Sequence, residues 1–189
     1  MFDHNLYLFC ERKEELIRDF LGNFNSSTGR LLQNEIFVQR NIGLSNVVNE
    51  EQGEWIKIAN TDDWIRIGLS DYRIAFTVYY SIPAKPITFL IVSFTVDGGV
   101  ILGIAVDGDE KYFGYAKELL DKLKNEYGAQ NAAIFIEEPP FLSKELFLKA
   151  MKECAIYVSP TFIGDFIGAQ RESLKFHDAN VENVTPHSV

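Results

Sequence analysis

Over residues 54–106, apolar and polar positions alternate with a period of two, which is typical of β-strands. Five segments carry this alternation or a short apolar run, and they cover residues 54–59, 64–70, 73–82, 87–96 and 100–106. Turn sequences separate them, among which Asn60-Thr61-Asp62-Asp63 and Asp97-Gly98-Gly99 are typical of tight reversals. Upstream, residues 6–10 and 35–39 predict short strands, and residues 12–22 predict a helix.

After residue 106 the apolar period becomes that of an α-helix. One helical stripe is formed by Tyr112, Ala116, Leu119, Leu120, Leu123 and Tyr127. Asp109 can cap the start of this helix, and Gly128 stands where a helix commonly ends. A buried strand over residues 132–136, a helix capped by Ser143 and a strand over residues 154–158 follow.

Together these patterns predict an α+β fold class, with an antiparallel β-meander of about five strands followed by β-α-β-α-β. The chain shows no internal repeat and no linker that would divide it. We therefore expect a single sheet-centred domain over residues 1–176, with helices packed on the sheet, and a polar C-terminal tail over residues 177–189.

Five carboxylates follow the two strands that bracket the main helix. They are Asp107, Asp109, Glu110, Glu137 and Glu138. Strands joined by a helix in a βαβ unit are parallel, so their carboxyl ends should meet at one edge of the sheet. This edge is one candidate binding site for a cationic partner or a divalent ion. The alternative is a pair of solvated turns in which Asp109 only caps a helix.

A second acidic group surrounds two tryptophans. Its members are Glu50, Glu51, Glu54, Asp62 and Asp63, with Trp55 and Trp64 beside them. No Lys or Arg lies between Arg40 and Lys57, and strand alternation would turn both tryptophans outward. An exposed Trp beside carboxylates favours protein recognition. The alternative is that the indoles pack under a covering element, such as the segment over residues 42–53.

Charge and composition narrow the classes of function. The chain of 189 residues has 18 basic and 27 acidic side chains, a net charge of −9. This balance argues against nucleic acid or an anionic membrane as partner. No apolar stretch is long enough to cross a bilayer, and the N-terminus lacks an export signal, so we expect a cytoplasmic protein. The two cysteines, Cys10 and Cys154, are expected to be buried and reduced.

Cofactor and catalytic motifs are few. The three histidines lie near the ends of the chain without the spacing of metal ligands, and neither a P-loop nor a Gly-x-Ser-x-Gly motif occurs. We therefore expect no cofactor, no metal and no catalytic residue. The turn Lys111-Tyr112-Phe113-Gly114-Tyr115-Ala116 does resemble the phosphate-binding turn of GNAT acetyltransferases, with Lys111 where Gln or Arg is usual. That resemblance implies a coenzyme A or small-molecule binder that uses the turn over residues 107–116.

A further resemblance concerns a class of binding proteins. The stretches Ile101–Asp109, Asn125–Ala129 and Ile136–Pro140 are similar in texture to parts of bacterial polymorphic-toxin immunity proteins. The resemblance implies a non-enzymatic acidic protein-binding module that neutralises a basic toxin, and it carries over no individual site. We take this as the leading hypothesis, with a GNAT-type acetyltransferase as the alternative.

Overall fold

The computed structural model describes residues 2–24, 29–40, 53–83 and 85–159. The strands are β1 (Asp3–Glu11), β2 (Arg30–Leu31), β3 (Glu35–Gln39), β4 (Gly53–Lys57), β5 (Phe76–Ser81), β6 (Ile87–Phe94), β7 (Gly99–Asp107), β8 (Asn131–Ile136) and β9 (Tyr157–Val158). The helices are α1 (Glu14–Phe24), α2 (Thr61–Ser70), α3 (Phe113–Glu126) and α4 (Lys144–Glu153), and a 3-10 helix (Glu110–Tyr112) precedes α3. The α+β fold class is confirmed.

Seven strands form one sheet in the order β2-β5-β6-β7-β1-β8-β9, and every neighbouring pair is antiparallel. The N-terminal strand β1 lies between β7 and β8, so these two strands run parallel to each other without being hydrogen-bonded neighbours. The predicted parallel arrangement is thereby confirmed. Strands β3 and β4 form a separate ribbon, which a bridge between Gln39 and Ala75 joins to the start of β5.

Each face of the sheet carries its own core. Helices α1, α2 and α3 pack on the first face through residues that include Phe20, Trp64 and Leu120, all fully buried. Helix α4 and the segment that precedes it pack on the second face through Phe147 and Phe141. Because α4 and this segment pack mainly over β8, β1 and β7, the second face is less completely covered towards β5.

The strand predicted over residues 64–70 is wrong, because these residues belong to helix α2. Asn60 begins the helix as its N-cap, and its side chain accepts a hydrogen bond from the Asp63 amide at 3.1 Å. The same polar run is also typical of a turn, so the local sequence alone did not distinguish a turn from a helix start. Gly68 then lets the helix lie on Phe94, whose ring would stand 2.3 Å from an added Cβ.

Several local predictions are confirmed. The β6–β7 hairpin turns at Gly98, whose φ of 81° is in the left-handed region. Gly128, with φ 58°, ends α3, and the amide after it bonds back to the Lys124 carbonyl at 2.9 Å. Ser143 caps α4 through a 3.2 Å bond from the Leu146 amide. The last predicted strand is shorter than expected, because residues up to Cys154 complete α4.

The two cysteines differ in exposure. Both are free thiols, but Cys10 is buried in β1 whereas Cys154 is exposed at the end of α4, so the prediction that both are buried is wrong for Cys154. In the described part of the chain, no helix has the length and apolar character needed to cross a membrane. The expectations for Glu50, Glu51, the segment over residues 42–52 and the chain beyond residue 159 lie outside the described residues.

Candidate functional site

The two predicted carboxylate turns lie at the same edge of the sheet, where β1 begins and β7 and β8 end. Asp107 pairs in register with Asp3, and the Glu137 amide donates a 3.3 Å hydrogen bond to the Asp3 carbonyl. Residues from three adjacent strands thus converge, although an entire helix separates Asp107 from Glu137 in sequence. The predicted shared edge is confirmed, and Asp3 is an additional carboxylate that the sequence analysis missed.

Two of the five predicted carboxylates are neutralised by lysines. Lys85 forms an ion pair with Asp107, whose side chain is only 4% exposed, and the hydrogen bond from Lys85 lowers the pKa of that carboxyl group. Lys111 pairs with Asp109 at 2.7 Å and lowers its pKa in the same way. Asp109 also caps the 3-10 helix, which agrees with the alternative interpretation that this residue serves as a helix cap. These two carboxylates are therefore poor contacts for a partner.

The other three predicted carboxylates at this edge remain available. Glu110 and Glu137 are exposed and Glu138 is half-buried, and none of them forms an ion pair with a described Lys or Arg. Asp3 accepts a 3.2 Å hydrogen bond from the Thr88 hydroxyl and likewise has no ion pair among the described residues. The negative charge of this edge is thus concentrated at Asp3, Glu137 and Glu138, which line one cavity together.

The segment that carries Glu137 and Glu138 is tied to the sheet at both ends. The Glu138 carbonyl accepts hydrogen bonds from the Tyr7 hydroxyl at 2.7 Å and from the Asn5 side chain at 2.9 Å. The Leu142 carbonyl accepts a 3.0 Å bond from the Val96 amide, and Phe141 between them is buried. Pro139 and Pro140 further restrict the backbone. We call this segment, residues 137–142, the wall.

Beside the wall, the described residues leave cavities on the second face of the sheet. One cavity of about 440 Å³ lies between the wall and Asn5, Phe89 and Ala105 on the floor. A second cavity of about 230 Å³ continues towards Phe37 and Trp55 of the β3–β4 ribbon. Both are lined by Tyr79, Pro139 and Pro140, so the two cavities adjoin at these residues, and we call them together the groove.

The second predicted acidic group does not form one cluster. Glu54 pairs with Arg40 at 3.5 Å, Asp62 with Arg18 at 2.8 Å, and Asp63 with Arg66 at 3.3 Å. Asp62 and Asp63 lie in the first turn of α2, where carboxylates stabilise the positive end of the helix dipole. Arg18 and Arg40 come from other parts of the chain, which the local sequence could not indicate, whereas Arg66 lies three residues after Asp63 on α2 itself.

The two tryptophans have opposite environments. Trp55 is 64% exposed on the β3–β4 ribbon and packs against Phe37, as predicted. Trp64 is fully buried in α2, where its indole N–H donates a 3.1 Å hydrogen bond to the Tyr80 hydroxyl. The prediction that Trp64 faces outward is therefore wrong, and its indole contributes to the core rather than to an accessible surface.

The turn that resembles a phosphate-binding motif leads into α3 through the 3-10 helix. The Lys111 amide donates to the Asp109 carboxylate at 3.2 Å, and the Lys111 ammonium pairs with the same carboxylate. An anion at this turn would therefore compete with Asp109 and would lie close to Asp107 as well.

Neither metal chemistry nor a known relative points to another site. Within the residues that the structure describes, no group of three or more His, Cys, Asp or Glu side chains could hold a metal ion. Comparisons with family models, with curated proteins and with solved structures found no match. The assignment of function therefore depends on the chemistry of the edge, the wall and the groove.

Proposed function

We propose that this protein is a non-enzymatic binding module for a basic protein partner, of the kind that an inhibitor or immunity protein provides against a toxin. The observation that carries the proposal is the pair Glu137 and Glu138, which has no ion partner among the described residues and stands on a wall anchored to the sheet. Basic side chains of a partner would supply the missing counter-charges.

The anchoring of the wall supports this function. Because hydrogen bonds and two prolines already hold the backbone, the carboxylates lose little conformational entropy when a partner binds. The net charge of −9 adds a long-range attraction for a basic protein, which raises the association rate and makes it sensitive to salt. Trp55 offers an exposed aromatic side chain at the far end of the groove.

The test compares three forms of the full-length protein. Glu137→Lys with Glu138→Lys reverses the charge of the wall. Glu118→Lys with Glu126→Lys makes the same change of net charge on exposed positions of α3, which packs on the opposite face. Proteins captured from a lysate of the source cells by each form are identified and quantified, and the best candidate is purified for affinity measurements at low and moderate salt.

We expect a basic protein to bind the wild type and the α3 variant, and to bind the wall variant at least about tenfold more weakly. Added salt should weaken the wild-type complex more than the complex of the wall variant. Equal binding by the wild type and the wall variant would refute the proposal, as would an equal loss in both charge-reversed forms. A rise in melting temperature with coenzyme A would instead favour the acetyltransferase alternative.

A further inference from the structure

We propose that the groove holds an extended segment of the basic partner, with a Lys or Arg side chain at the acidic end and apolar side chains along the aromatic floor. This inference rests on the proposed function and specifies the site and the chemistry of its ligand.

A small residue creates the depression in the floor. Ser81, Phe89, Ala105 and Asn5 form a cross-strand row over β5, β6, β7 and β1. Ala105 stands between the larger side chains of Phe89 and Asn5, and it lines the cavity with them. Ala105 is only 2% exposed, so the row has a low point at β7 that is closed in by the Phe89 ring on one side and the Asn5 amide on the other, and a ligand would contact mainly these two side chains.

Charge along the groove is asymmetric. Asp3, Glu137 and Glu138 lie at one end, and no Lys or Arg is among the described residues that line either cavity. Tyr79 and Phe89 present aromatic surface between this end and Trp55, and aromatic faces attract both apolar side chains and cations. The groove thus complements a segment that carries both positive charge and apolar groups, rather than a purely basic or a purely apolar one.

The dimensions favour a short extended segment. From β1 to β5 there are three strand spacings of about 4.8 Å, so the floor is about 14 Å wide. An extended chain advances about 3.3 Å per residue, so about four residues would cross this floor. The segment would contact side chains on the face of the sheet, because each strand under the floor already pairs with neighbours on both sides.

The nearby edge of β5 does not offer an alternative mode of binding by strand addition. β2 pairs with Tyr80 and Ser81, and the Leu32 amide donates to the Tyr79 carbonyl at 3.0 Å. The Gln33 side chain accepts from the Tyr79 amide at 2.8 Å and donates to the Thr77 carbonyl at 3.1 Å. With this edge occupied by the chain itself, an extended ligand in the groove would contact the face of the sheet rather than pair with β5.

The experiment uses a short fluorescent peptide of alternating Arg and Leu as the probe, with full-length protein. Two matched peptides replace Leu by Gly or Arg by Glu. Anisotropy titrations compare the wild type with the wall variant, with Ala105→Leu, which places a larger side chain at the low point of the row, and with Phe89→Ala, which removes the aromatic border. The α3 double variant described above is the control for charge. Photo-cross-linking of the probe to the wild type maps the contact without any substitution.

We expect the Arg-Leu peptide to bind the wild type and the α3 variant alike, and both groove variants to bind it at least about tenfold more weakly. The Gly and Glu peptides should each bind far more weakly, and cross-links should fall on Tyr79 and the wall. Thermal melts establish that each variant is folded. Should one groove variant fail to fold, the other variant and the cross-links still decide the question.

Three results would overturn the inference. Unchanged affinity in the folded groove variants, with weaker binding only in the wall variant, would leave the proposed function intact and remove the groove from it. Cross-links confined to α3 or to other surfaces would do the same. If the protein self-associates and the peptide dissociates the complex, the groove would be assigned to a second copy of the chain. Failure of the proposed function is distinct, because it would appear as equal binding of the basic protein by the wild type and the wall variant.

Discussion

The guanidinium group of Arg12 joins three parts of the fold that are remote in sequence. Its side chain is 5% exposed and donates five hydrogen bonds, all to main-chain carbonyl oxygens. Two of them, at 2.8 Å, go to Gly68 and Asp71 at the end of α2, and Gly99 and Thr95 in the β6–β7 hairpin accept others. Burial lowers the pKa of Arg12, yet an arginine keeps its charge under such conditions.

This arrangement supplies a positive charge that the last turn of α2 lacks. The last turn of α2 contains no basic residue, and its carbonyl groups point towards Arg12. The rings of Tyr72 and Phe94 lie near the guanidinium, 5.5 and 5.0 Å from it, which favours the cation at this position. The periodicity of residues 12–22 assigned Arg12 to a helix and gave no indication of these contacts, since all the acceptors lie more than fifty residues away.

Replacing Arg12 by Met should lower the free energy of unfolding by about 3 kcal/mol or more, because buried carbonyls then lose a charged donor. Urea melts measure the change. Arg12→Lys should recover little of the loss, since one ammonium group cannot reach the same set of carbonyls. Arg73→Met is the matched control, because Arg73 is exposed and its ion pair with Asp71 should matter little. Similar losses for Arg12→Met and Arg73→Met would contradict this account.

Among the helices, α2 illustrates how one polar run can support two structures. Asn60 bonds to the Asp63 amide, and the Asp63 carboxylate in turn accepts from the Ala59 amide at 2.8 Å. This reciprocal capping turns a sequence that is typical of a turn into a helix start. The helix is then favoured because it buries Trp64 and Ile65 together, whereas a strand would place them on opposite faces.

Asn60→Ala should therefore destabilise the protein by about 1 kcal/mol, which is the usual cost of losing an N-cap side chain. Asn60→Ser keeps an oxygen acceptor and should lose distinctly less. Both effects are measured by denaturant melts followed by the fluorescence of Trp64, which is fully buried. If the alanine and serine variants are equally stable, the capping bond does not contribute and the start of α2 must be determined by its packing alone.

Capping residues, turn sequences and helical periodicity correctly predicted the elements that depend on residues close together in sequence. Ser143, Gly128 and the Asp97-Gly98-Gly99 turn lie where expected, and Leu120 is buried on the predicted stripe of α3. Local signals could not predict the position of β1 in the sheet, because its two neighbours, β7 and β8, are separated from it by about a hundred residues of sequence. The separation of β3 and β4 into their own ribbon likewise depends on tertiary contacts.

The candidate site was predicted only in part, because some of its features depend on contacts between residues that are far apart in sequence. The βαβ geometry correctly placed Asp107 and Glu137 at one edge, since parallel strands end together. The sequence pattern did not indicate two features of this edge. Lys85 and Lys111 neutralise two of the carboxylates, and the pairing of β1 with β7 adds Asp3. The groove depends on residues from six strands and the wall, and no local pattern in the sequence indicates such a surface.

Across the whole molecule, the described elements cover the two sheet faces unequally. The first face is covered by three helices and holds the larger core, whereas α4 and the wall are the described elements that pack on the second. The central position of β1 ties both cores together, since Leu8 and Cys10 point to the first and Tyr7 and Phe9 to the second. Opening of β1 should therefore require the entire sheet to unfold.

The two thiols provide a direct test of this cooperativity. Cys10 pairs with Val100 in the middle of the sheet, and burial raises the pKa of its thiol to about 12. Cys154 is exposed at the end of α4, although partial desolvation raises its pKa as well. Because thiol reagents attack the thiolate, mildly alkaline buffer should allow Cys154 to react in the native protein while Cys10 stays protected.

We therefore expect one thiol to react rapidly with a disulfide reagent and the second to react only at the rate of global unfolding. Cys154→Ser should abolish the rapid phase and leave the slow one unchanged. The slow rate should rise with urea in parallel with the unfolding rate measured by tryptophan fluorescence, because Cys10 becomes accessible only when β1 leaves its place between β7 and β8. Rapid reaction of Cys10 without loss of the fluorescence signal would show that β1 opens by itself. In that case the strand could not hold Asp3, Asn5 and Tyr7 rigidly enough to position the wall, and the preorganised site at this edge would lose its structural basis.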